Sequence, residues 1–95
     1  MPFMAQMANV GSEVERALKR RESGEEKSCM LAFDRALELL DLTISDERNL
    51  VHIGELTRAR EVLADNIVGG NLYATTDESW RKYFGYFAQA TRRNT

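Results

Sequence analysis

Three features of the chain predict an all-α fold, a small antiparallel helical bundle with three strong helices plus a weak N-terminal helix. Met30, Phe33, Leu37, Leu40 and Ile44 recur at alternating spacings of three and four, which places them on one helical face. Ser23 with Glu26, and Thr75 with Glu78, have the spacing of a capping box, in which a hydroxyl and a carboxylate each satisfy a backbone N–H at a helix start. The only proline is Pro2, and no run alternates apolar with polar residues as a half-buried strand would.

Taken in order, residues 1–11 are expected to be a flexible N-terminal tail, and 12–95 a single helical-bundle domain. Met1, Met4 and Met7 open the tail without a clear start signal. A first helix is expected near 12–21, where Val14, Ala17 and Leu18 make only a narrow stripe suited to peripheral packing. The second, near 25–44, carries the Met30–Ile44 stripe.

Ser45-Asp46-Glu47 supplies a cap and first-turn acids for a third helix near 46–68, with Ile53, Leu56, Leu63 and Ile67 as its apolar side. Gly69-Gly70 ends it. Neither glycine nor proline separates Ile44 from Arg48, so one continuous helix from Glu25 to Val68 in a domain-swapped dimer is the alternative. Asn71 to Ala74 reads as a short connection. The fourth helix, near 76–92, bears Trp80, Tyr83, Phe84, Tyr86 and Phe87.

Length and composition narrow the function. With 95 residues, 43% of them hydrophobic and 29% charged, the chain is an ordinary globular sequence with room for one core. A chain this short leaves much of its surface exposed, so burial against a partner adds to its stability. A net charge of −2 and a pI near 5.4 argue against a dominant nucleic-acid or membrane-surface role.

Basic residues do cluster at Lys19-Arg20-Arg21 and at Arg81, Lys82, Arg92 and Arg93. No RNA-binding motif or recognition-helix pattern accompanies them, and cations near helix C-termini are favourable in any case, so nucleic acid ranks as a weaker alternative partner. No apolar run approaches the ~20 residues that span a bilayer, and no secretory leader is visible. A lone cysteine, Cys29, makes neither an intrachain disulfide nor a cysteine zinc site and fits a reducing compartment. A cytoplasmic protein is expected.

The sharpest functional signal is an excess of apolar surface on the second helix. At about 100° per residue, Leu31, Leu39 and Leu42 fall opposite the Phe33–Leu40 stripe. A helix apolar on two faces is either covered twice within one subunit or pairs with a symmetry mate. Tyr83 and Tyr86, at the margins of the aromatic stripe, offer apolar bodies with polar tips suited to an interface rim. The expectation is a non-enzymatic protein–protein interaction or regulatory module working as a homodimer, without cofactor or metal.

The alternative from another class is enzymatic. Asp34, Glu38 and Asp41 line the second helix between its apolar faces, and Glu61 and Asp65 share a side of the third. Hard cations require several converging oxygen ligands, and the pattern resembles the acidic motifs of all-helical nucleotide pyrophosphohydrolases. That resemblance implies a Mg²⁺-dependent hydrolase with Glu38, Asp41, Glu61 and Asp65 as ligands. The helical wheel opposes it, because Glu61 and Asp65 project roughly 160° from the Leu56–Leu63 stripe, toward solvent.

Three remaining residues have simpler readings. Arg60 lies on the apolar side of the third helix and requires a carboxylate, with Asp34 or Asp41 in reach. His52 with Glu55 provides only two potential metal ligands, and no matching pair occurs elsewhere. Cys29 reads as a packed thiol.

Overall fold

The computed structural model describes residues 1–93, apart from the side chains of Val68 and Arg93. Among the described residues four α-helices form a small bundle: α1 (Phe3–Glu22), α2 (Glu26–Ser45), α3 (Ile53–Val68) and α4 (Asp77–Arg93), with a 3₁₀ segment, Glu47–His52, between α2 and α3. Among the described residues no helix is long and apolar enough to cross a membrane.

The N-terminus departs most from expectation. Residues 3–11 are the first half of α1 rather than a flexible tail, and Met7, Val10, Gly11, Val14, Ala17 and Leu18 are its buried face. The spacings of three and four begin at Met7, before Gly11, so reading the stripe from Ser12 onward sees only half of it. The Pro2 carbonyl opens the helix by accepting the Gln6 N–H at 3.0 Å.

This helix is central rather than peripheral, packing along both α2 and α4, while α3 leans on α2. Contacts run in opposite order along the paired helices, and so fix their directions. On α4, Asp77 meets Arg21, Arg81 meets Glu15 and Phe87 meets Phe3. On the α2 side, Phe33 lies under Arg21, and Asp46 meets Gln6. Both neighbours are therefore antiparallel to α1.

The buried side of α2 is Cys29, Ala32, Phe33, Ala36, Leu40 and Thr43. The expected stripe is rotated by part of a turn: Phe33 and Leu40 are buried, Leu37 and Ile44 reach the core edge, and Met30 is exposed. Small side chains at Cys29, Ala32 and Ala36 put the α1 contact on that side, so burial follows close approach rather than the largest residues. Fully buried Phe33, Met7, Leu18, Leu40, Leu56 and Leu63 anchor the core, each stabilising it by about 1.5–3 kcal/mol through area removed from water.

The helix starts differ from the predicted boxes. Ser23 ends α1, and Glu25, the residue before α2, makes no side-chain cap. Gly24, at φ 75, turns the chain between the two helices. At α4 the reciprocal pair lies one residue later than predicted: Ser79 N–H donates to Thr76 Oγ1 and Thr76 N–H to Ser79 Oγ, both at 3.1 Å. A continuous helix from Glu25 to Val68 does not form. Asp46 is extended (φ −76, ψ 114), and its carboxylate accepts the Arg48 N–H to start the 3₁₀ segment.

Candidate interaction face

With one side of α2 buried against α1 and α3, its opposite side faces solvent. Leu31 is 68% exposed and Leu42 63% exposed. They stand eleven residues apart, about three helical turns. Between them Arg35 donates to Glu38 at 3.1 Å in an exposed i,i+3 pair. Leu39, predicted with the two leucines, instead packs partly buried against the core.

The two tyrosines also part company. Tyr86 is 60% exposed, its ring edge-on to Phe87 at 5.3 Å. Tyr83 is packed against the core, and its hydroxyl donates to Glu55 Oε1 at 2.8 Å, bracing α4 to α3. Burial, and then the Glu55 carboxylate, push the Tyr83 hydroxyl pKa well above its usual value.

More apolar exposure follows α2, at Leu50, Val51 and Ile53. Asn49 is the cause. Its buried amide donates to Gln6 Oε1 at 2.8 Å and to the Thr43 carbonyl at 2.9 Å, so the residues beside it in the tight 3₁₀ segment turn outward. Gln6 in turn donates to Asp46 at 3.0 Å. Bonds from Arg48, first through its side chain, hold the Asp46 carboxyl far below the usual range. Adjacent apolar residues at Leu50-Val51 were the available signal in the sequence, but a buried asparagine carries none.

The carboxylates expected around a Mg²⁺ ion are engaged separately. Glu38 is paired with Arg35, and Asp41 accepts from Arg60 Nε at 2.6 Å, one of the two partners anticipated for that arginine. Asp65 faces the α3–α4 connection and accepts the Tyr73 N–H, while Glu61 is exposed. No group of three or more potential metal ligands comes together among the described residues. His52 stacks flat on Phe3, with centroids 3.9 Å apart, and Glu55 is taken by Tyr83. Cys29 is buried, which pushes its thiol pKa up and disfavours the thiolate.

The basic clusters are largely neutralised within the chain. Arg21 pairs with Asp77 at 2.8 Å, Arg20 with Glu25 at 3.3 Å, and Arg81 with both Glu15 and Glu22 at 2.8 Å. Lys19 and Lys82 are exposed. The side chain of Arg93 lies outside the described residues.

Between α3 and α4 an apolar groove of about 280 Å³ is lined by Ala59, Val62, Trp80 and Tyr83, among others. The Trp80 indole N–H beside it is buried with no hydrogen-bond partner among the described residues. Comparison of the chain with protein-family models, curated proteins and solved structures finds no match in any of the three.

Proposed function

We propose that this chain is a non-enzymatic interaction or regulatory module that works in the cytoplasm as a homodimer, through the solvent-facing side of α2. The observation that carries this reading is the exposure of Leu31 and Leu42 on one helical face, flanking the Arg35–Glu38 pair. Large apolar side chains grouped on one face are the usual mark of a surface that is covered in use. The free, buried thiol of Cys29 suits a reducing compartment.

Light scattering across a dilution series tests the proposal. The wild-type chain is expected to reach the mass of two copies at micromolar concentration. L31A/L42A is expected to stay a monomer with unchanged helical circular dichroism, because neither side chain contributes to the core. A wild-type chain that remains monomeric throughout would overturn the reading.

A further inference from the structure

The geometry points to an isologous, antiparallel α2–α2′ seam as the dimer contact, with Arg35 of each copy opposite Glu38 of the other and Leu31 opposite Leu42. This inference rests on the homodimer reading and specifies its interface. Ser28, Leu31, Arg35, Glu38, Leu42 and Ser45 are all exposed on α2. Their spacings of three, four, three, four and three trace a single seam of the kind through which two helices pair. It runs over eighteen residues, about 25 Å from end to end.

Read from either end, the seam runs small, apolar, charged, charged, apolar, small, and its two central charges are opposite in sign. Ser28 mirrors Ser45, Leu31 mirrors Leu42, and Arg35 mirrors Glu38, about a midpoint between residues 36 and 37. A two-fold axis through that midpoint pairs each residue with its mirror partner on the second copy. Leucine then meets leucine, and arginine meets glutamate twice. Serines lie at both ends, where small side chains admit close approach.

A second copy of this chain is thus the partner whose charge pattern complements the face at both of its charged positions. Self-complementarity about an axis is what an isologous interface requires. A parallel pairing would place Arg35 on Arg35 and Glu38 on Glu38, and like charges facing each other in an interface are strongly disfavoured. In the antiparallel pair the existing Arg35–Glu38 contact of each copy extends to an alternating four-charge cluster. A single helical seam is smaller than the roughly 800 Å² per partner of a standard interface, so reversible dissociation on dilution is expected.

Sedimentation velocity with R35E and E38R tests the seam. Each variant alone places like charges across the axis twice, and its dimer dissociation constant is expected to rise tenfold or more. An equimolar mixture of the two restores both cross-axis pairs, one chain supplying two acids and the other two arginines. Its dissociation constant is expected to return to within about threefold of wild type. Each variant has lost its own internal Arg35–Glu38 pair, so recovery in the mixture arises only between chains.

The double variant R35E/E38R reverses every charge and is expected to dimerise like wild type. A wild-type dimer indifferent to both single substitutions, or a mixture no tighter than its components, would overturn this seam while leaving the homodimer reading standing. A wild-type chain that is monomeric at every concentration removes both.

Discussion

Phe84 sits directly on the backbone of Gly11. A Cβ placed on that glycine would lie 2.7 Å from Phe84 Cβ and 3.1 Å from its Cγ. The contact explains why a glycine occupies the middle of the central helix, where it costs about 1 kcal/mol of helix propensity relative to alanine. Without a side chain at position 11, α4 settles against α1 with an aromatic ring in the gap.

Gly11→Ala and Gly85→Ala should therefore move stability in opposite directions, although both replace a helical glycine by the same residue. At Gly85 nothing lies within 4 Å of the new methyl, so the gain in propensity, up to about 1 kcal/mol, is retained. At Gly11 overpacking of about 1–3 kcal/mol outweighs that gain. Thermal melts are expected to show Tm lower for G11A and higher for G85A, by about 4–8 °C per kcal/mol for a domain of this size. A G11A variant that melts above wild type would show that Phe84 yields freely.

Asn49 ties the junction after α2 to α1, and truncating it removes donors from two acceptors. Asn49→Ala leaves the Thr43 carbonyl with only the longer bond from the Asp46 N–H, 3.3 Å, and takes the amide donor from Gln6 Oε1, a loss of about 1 kcal/mol. The denaturation midpoint in urea should fall accordingly, with an unchanged slope. A midpoint within error of wild type would mean that water replaces the amide.

Asp46 gives the same junction a pH dependence. Its carboxyl is held below its ordinary value in the folded chain. Its contribution to stability is therefore complete above the unfolded aspartate pKa near 4, and is lost as pH falls from there toward the lower folded value. Asp46→Asn removes that contribution at neutral pH and flattens the acid limb, which urea midpoints measured from pH 7 down to pH 3 would reveal. Parallel curves for the two proteins would assign the acid sensitivity to other carboxylates.

At the other end of the pH scale Tyr83 acts with the opposite sign. Its folded-state pKa is raised, so the protonated hydroxyl stabilises the fold below the unfolded tyrosine value near 10, and that contribution is lost as pH rises through the folded value. Tyr83→Phe should lower stability at pH 7 by about 1 kcal/mol, because the hydrogen bond it removes is exposed at the Glu55 end. The variant's stability should also decline less than wild type's between pH 10 and 11. An equal decline in both proteins would remove Tyr83 from the alkaline transition.

The helical fold was legible because Phe33, Leu40, Leu56, Leu63, Trp80, Phe84 and Phe87 are large and periodic. They are also buried. The role of α1 was not legible from Ser12 onward, since its stripe starts five residues earlier and passes through a glycine whose value depends on Phe84, seventy-three positions away. Ser23-Glu26 has capping-box spacing, yet Gly24 takes the left-handed turn that makes Ser23 the end of α1 instead.

Leu31 and Leu42 were visible as a second face of α2. The symmetry around Arg35 and Glu38 acquires meaning only once the structure shows the whole seam exposed. Leu39 looked equivalent to them on a helical wheel. It differs because α2 packs through Ala32, Ala36 and Thr43, which draws the adjoining Leu39 toward the core and leaves Leu31 and Leu42 outside.

The packing of Cys29 makes a last prediction. The thiol is 4% exposed, and burial raises its pKa, so both access and thiolate fraction are reduced. Labelling by a thiol-reactive disulfide reagent at pH 8 is expected to be at least about 100-fold slower in the folded chain than in urea, with a rate set by the equilibrium population of chains in which α2 has opened. G11A, which loosens the neighbouring α1–α4 contact, should speed labelling only as far as it lowers global stability. Labelling of the folded wild type faster than its global stability allows would mean that α2 separates from α1 by a local motion that leaves the rest of the bundle intact.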